Sequence, residues 1–184
     1  TEDCESDGET PARESSETEP PEVAVEDVAL SYTDDGEPVV EVEKLIVPAG
    51  EVTALVGPNG SGKSTLLKAM DAELEPDRGV VRFDGRDVDS YSTSELATRL
   101  GLLSQENTAP ASTTVRELVT YGRYPHRGFV EGLSEEDEQA IDRALERVGV
   151  DHLGDRHVGE LSGGQQQLAW LAMAFAQETD ALLL

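Results

Sequence analysis

Cysteine and lysine are nearly absent from the sequence, with one and three residues among 184, and no apolar run reaches membrane-spanning length. The lone Cys4 sits in a polar stretch and cannot form a disulfide within the chain, so nothing points to an oxidising compartment. Without a transmembrane run or a basic-plus-apolar leader, the chain reads as soluble and intracellular. Lys and Arg together number 14 against 39 Asp and Glu, a formal net charge of −25. A field of that sign repels nucleic-acid phosphates and anionic headgroups, which argues against broad electrostatic binding to either.

Two of the three lysines, Lys63 and Lys68, fall in or just behind the stretch Gly57-Pro58-Asn59-Gly60-Ser61-Gly62-Lys63-Ser64-Thr65. It fits G-x-x-x-x-G-K-[ST], with the apolar run 52–56 ahead and the helix former 66–70 behind. At this chain's composition the bare pattern should occur by chance roughly 0.003 times. Glycines at 57, 60 and 62 allow a turn whose N–H groups converge on phosphates at the positive end of the following helix. Lys63 then neutralises phosphate charge and the Ser64 hydroxyl ligates Mg²⁺. Nucleotide binding is the expected activity.

Residues 1–22 carry nine acidic residues and one Arg among Ser, Thr and Pro, which predicts a disordered tail. Strands are predicted over 23–32 and 39–47, joined by a turn at Asp34-Asp35-Gly36, and again over 52–56 and 80–83. An antiparallel pair leading into a strand–loop–helix unit predicts a mixed sheet. A short helix over 94–99 precedes a buried strand at 101–104 that ends at Gln105. Helices follow over 114–121 and 134–148, the second opening on Ser134 with acidic residues in its first turn. Ile141, Ala144, Leu145 and Val148 give it one apolar face. Leu161-Ser162-Gly163-Gly164-Gln165 opens another helix through about Gln177, before the apolar run 181–184.

Those five residues spell LSGGQ. With the P-loop and a glutamine at a strand end, in that order, residues 23–184 resemble the ATP-binding-cassette (ABC) ATPases. The resemblance implies an α/β P-loop NTPase core with a mixed sheet, an N-terminal antiparallel β subdomain and a helical subdomain at about 112–177. It implies ATP and Mg²⁺ as ligands and a head-to-tail homodimer in which Leu161 to Gln165 of one subunit close over the nucleotide on the other's P-loop. Ser162, Gly163 and Gly164 at a helix start suit such a second anion site. Gln105 becomes the glutamine that ligates Mg²⁺ or orients water, and Tyr32 the aromatic that stacks on adenine. On the residues alone, Gln105 is equally a loop glutamine and Tyr32 an edge-strand tyrosine.

A finer resemblance, over 113–126 and 169–174, is to the import cassettes that energise uptake of iron–siderophore, haem or cobalamin. It implies transmembrane permease subunits as partners, a substrate-binding protein acting through them, and a peripheral place on the cytoplasmic face of the membrane. It also puts Arg123, Tyr124 and His126 near the permease surface. Packing roles for Tyr121, Tyr124 and Trp170 remain the alternative, as do a soluble cassette ATPase and a nucleotide-gated interaction module without turnover. Where the family usually has a basic residue after LSGGQ, this chain has Gln166-Gln167-Leu168.

The family places an aspartate, a glutamate and then a histidine after the apolar run at which this sequence stops. Asp180 precedes that run, and His126, His152 and His157 all precede LSGGQ, so the chain is expected to be a fragment that hydrolyses ATP poorly. Acidic excess with scarce lysine resembles proteins adapted to a high-salt cytoplasm, where salt screens self-repulsion. The thermal unfolding midpoint should therefore rise from low salt to multimolar KCl; a midpoint indifferent to salt would refute the adaptation.

Overall fold

The computed structural model describes residues 22–32, 37–104, 107–126 and 132–184. The tail before Glu22, the turn at 34–36 and Gln105 lie outside them. Six strands and five α-helices are formed by the described residues.

β1 (Val23–Leu30) is the centre of a four-stranded antiparallel sheet, flanked by β2 (Val40–Val47) and β3 (Arg78–Phe83), with β4 (Arg86–Asp87) on the far side of β3. Val23 and Val25 point inward, and so do Val28 and Leu30, although strict alternation would turn the second pair outward. A bulge accounts for the change of phase. Asp27 adopts φ 51°, and the register against β3 shifts between Glu26 and Ala29. Gly79 makes room for the bulge: a Cβ there would lie 2.4 Å from the Asp27 carbonyl, and its φ is +86°.

α1 (Lys63–Met70) lays Leu66, Ala69 and Met70 on this sheet, forming a core with Val81, Phe83, Val88, Leu96 and Leu100. α2 (Thr93–Arg99), capped by Ser92, leads directly into β5 (Leu100–Leu102), which pairs in parallel with β6 (Ala181–Leu183). Arg99 ties the two sheets together, donating to Asp84 at 2.9 Å and to Asp180 at 2.8 Å.

The expected strand over 52–56 is not formed. These residues belong to no ladder among the described residues, and Val52 and Val56 are 101% and 86% exposed. An extended apolar segment becomes a strand only when a neighbouring backbone takes up its N–H and C=O groups, and none of the described segments does so here. The antiparallel and parallel pairings consequently stand as two separate sheets.

A second core is helical. α3 (Val115–Thr120), α4 (Glu135–Val148) and α5 (Gly163–Ala176) bury Val115, Leu118, Val119, Ile141, Ala144, Leu145, Ala169, Ala172 and Ala176 together, with Trp170 and Val148 partly buried against them. Each helix opens on a capping box, Thr114 with Glu117, Ser134 with Asp137 and Ser162 with Gln165. Between α3 and α4, Tyr121–His126 form a 3-10 segment. Arg123 itself is buried, 4% exposed, between the exposed Tyr121 and Tyr124. Its Nε donates to Asp137 Oδ1 at 2.8 Å, because a guanidinium carried into a core needs a carboxylate with it.

Burial raises the Asp137 pKa, but hydrogen bonds from Arg123 and Ser134 outweigh it and bring the carboxyl from 3.8 down to about 2. A folded value below the unfolded one stabilises the fold above the unfolded pKa and is lost as pH falls through the folded one. Asp137→Asn should thus cost about 2 kcal/mol near neutral pH, with the deficit shrinking between roughly pH 4 and pH 2, as read by denaturant unfolding across that range.

Candidate nucleotide-binding site

The loop from Gly57 to Gly62 is exposed for most of its length and ends at the start of α1. Ser61 N–H closes a turn on Pro58 O at 3.3 Å, and Gly60 and Gly62 take φ of +80° and +84°, values open to glycine. Gly62 is constrained twice over. A Cβ there would lie 2.1 Å from Val40 Cγ2, so β2 packs directly against the loop's final turn. A Cβ at Gly57 would meet Ser61 Oγ at 2.8 Å, whereas Asn59 and Gly60 stand at the open tip.

Lys63 Nζ donates to Gly57 O and Pro58 O, both at 2.9 Å, and lies 3.5 Å from Ser61 Oγ. The loop thus curls around its own ammonium group. The first-turn N–H groups of α1, including those of Lys63 and Ser64, have no acceptor within the helix, and the dipole adds positive potential there. Ser64 is exposed at this end, while Thr65 is buried and its Oγ1 is 2.7 Å from the hydroxyl of Tyr32. That bond holds Tyr32, itself 67% exposed, beside the start of α1. The Lys63 ammonium, the first-turn amides and the tethered Tyr32 thus all lie around the start of α1. Among the described residues no group of three His, Cys, Asp or Glu is placed to hold a metal ion.

The second expected anion surface opens α5. Leu161 is buried as an anchor, while Ser162, Gly163 and Gly164 are exposed. Ser162 Oγ accepts from Gln165 N at 3.4 Å, and Gln165 Oε1 accepts from Ser162 N at 3.0 Å, so Gln165 caps its own helix. Gln166, in the stretch after the five residues, donates to Val158 O at 3.1 Å. Apart from the chain neighbours and the local turn of the helix itself, no described residue comes within 4 Å of a Cβ built on Gly163 or Gly164. Among the described residues, none crowds a side chain at either position. The two helix starts belong to different cores, α1 to that of the antiparallel sheet and α5 to that of the helices.

A cavity of about 370 Å³ lies between α1, α2 and β5, lined by Asp71, Asp89, Tyr91 and Gln177 among others. Burial, with Glu73 nearby, raises Asp71 to about 7, and burial raises Asp89 as well. Two carboxylates make this cavity a poor receptor for phosphate, in contrast to the two glycine-bearing helix starts. The sequence carried no sign of the Val40 contact, which joins residues brought together by folding, whereas the Gln165 cap follows the local S-x-x-Q pattern of a capping box.

A family pattern described as "ABC transporter" matches residues 41–184. The ferric enterobactin transport ATP-binding protein FepC of Escherichia coli is 47% identical over 138 residues, 75% of this chain and 51% of the relative. The probable siderophore transport system ATP-binding protein YusV of Bacillus subtilis is 41% identical over 162 residues, 88% and 58% respectively. The chain therefore spans about half the length of the curated relatives it matches. Among solved structures, the ADP conformation of an ATP-binding cassette of an ABC transporter superposes with a TM-score of 0.75 at 27% identity, over 88% of this chain and 67% of the other. Among the described residues no helix is long and apolar enough to cross a membrane.

The two kinds of glycine should behave oppositely. Gly62→Ala meets Val40 at a strained φ and should destabilise the chain by more than about 1 kcal/mol and weaken binding of a fluorescent ATP analogue. Gly163→Ala, in open space on a helix, should leave stability equal or raise it by up to about 1 kcal/mol, both read by urea unfolding.

Proposed function

Because the chain belongs to the ABC transporter family, we propose that it is the nucleotide-binding part of the ATP-hydrolysing subunit of an importer for an iron–siderophore, haem or cobalamin-type substrate. The supporting observation is its 47% identity to a protein named for ferric enterobactin transport. In this proposal residues 23–184 are a nucleotide-binding domain with a helical subdomain at about 112–177, preceded by an acidic tail.

When bound, ATP would supply the phosphoryl group and Mg²⁺ would offset the charge of its phosphates. Lys63 and the amides from Gly57 to Thr65 hold the phosphates, Ser64 and Gln105 hold the metal, and Tyr32 faces the adenine. These groups position charge ahead of the reaction, the main lever a protein has on phosphoryl transfer. Leu161 to Gln165 contact the nucleotide of a second, head-to-tail subunit. The open space around Gly163 and Gly164 supports this role, since close approach from outside the chain is the remaining reason to keep side chains out. The dimer sits on permease subunits at the cytoplasmic face of the membrane, and a binding protein delivers the substrate to them. The acidic surface suits a cell that accumulates salt.

The test uses the complete gene product with its permease in vesicles. Substrate uptake and ATP turnover should both fall at least about 100-fold with Lys63→Ala, and Gly163→Ala should stop turnover in a subunit that still folds and binds ATP. Turnover without any co-purifying permease would indicate a soluble cassette, and nucleotide-driven dimerisation without turnover an interaction module; either outcome would overturn the proposal.

A further inference from the structure

α5 brings no cation to its own C-terminal end. Its last turn has no basic residue, and an acidic one, Glu178, follows within two positions. The carbonyls left over at that end carry the negative pole of the helix and need donors. They come from the 3-10 segment Tyr121–His126. Arg123 Nη1 donates to Ala176 O at 2.8 Å, and His126 Nε2 lies 2.6 Å from Gln177 O, a carbonyl that can only accept. Between them Gly122 presses so close that a Cβ would fall 2.2 Å from Met173 O.

The guanidinium does more than cap. It reaches Asp137 in the first turn of α4 through Nε and Glu178 through Nη1, at 3.0 Å for the latter. Glu178 turns back to it with φ 50°, and its other oxygen takes Arg143 of α4 at 2.7 Å. One buried side chain thus fastens the 3-10 segment to two helices at once. On the outer side of that segment the rings of Tyr121 and Tyr124 stack with centroids 5.8 Å apart, 44% and 63% exposed. At the other end of α5 stand Ser162, Gly163 and Gly164. The helix between has neither proline nor glycine after Gly164, and its 14 residues span about 21 Å.

We propose, resting on the import reading for the identity of the partner, that Arg123 and His126 are positioning residues joining segment 121–126 and the Ser162–Gly164 end of α5 into one rigid lever. A membrane subunit that displaces the Tyr121–Tyr124 face moves the signature end with it. Neither residue needs to touch nucleotide or permease.

Two variants of the complete subunit, assembled with its permease, test this. Arg123→Lys keeps the charge but cannot serve Asp137, Ala176 O and Glu178 together, and His126→Ala alters an exposed side chain that the fold can spare. Each should lower permease-stimulated ATP turnover about tenfold while half-saturating ATP changes less than about twofold. Amide exchange should quicken at the 161–168 end of α5 as well as at 174–178, and His126→Gln, which keeps an N–H donor, should restore both readouts. Full stimulated turnover in both variants would overturn the lever. So would a loss matched by equal losses in unstimulated turnover and melting temperature, or faster exchange confined to 174–178. If the unaltered complex shows no permease stimulation, the import reading fails, and the exchange pattern alone still decides the linkage.

Discussion

A helix leaves its final carbonyls without partners, and at the end of α5 that constraint is met from outside the helix by Arg123 and His126. Much of the helical half depends on this arrangement. The same guanidinium is paired to Asp137, which is also the residue completing the Ser134 capping box, so the start of α4, the end of α5 and the 3-10 segment share one buried charge. Removing a partner from such a pair strands the other in a low-dielectric interior, so the members of the joint depend on one another. Gln177 extends it toward the sheet by donating to Ala97 O of α2 at 2.7 Å.

Glycine separates what the chain needs for itself from what it offers to others. Gly79 and Gly62 are demanded internally, the first by the Asp27 bulge and the second by Val40, and both take positive φ. Gly163 and Gly164 meet no such demand. Their exposed backbone, at a helix start in a different core from the P-loop, forms a second positive surface. The nucleotide-driven clamp proposed above would use both surfaces, and the chain builds each on its own hydrophobic foundation.

Local signals in the sequence were strong where a few neighbouring residues decide the outcome. The P-loop glycines, the Ser134 and LSGGQ helix starts, the apolar face of α4 and the β-branched runs of β1 and β2 all form within a residue or two of where their patterns indicate. Residues 52–56 had an equally good strand pattern and remain without a ladder, because strand pairing is a property of two segments and periodicity describes one. The burial of Arg123 was not legible in its neighbours either, since only the meeting of α4 and α5 supplies the carboxylate and carbonyl that carry it inside.

By itself, the sequence determined the family, the phosphate-binding loop and the helix starts, since each rests on short-range backbone geometry and on residue types at fixed spacing. The tertiary structure decided the Asp27 bulge that reverses the phase of β1, the two separate sheets, and the tethering of Tyr32 to Thr65. It also decided the fastening of both ends of α5. Each of these joins residues far apart in the chain, where partner identity depends on which surfaces folding brings within reach of a hydrogen bond.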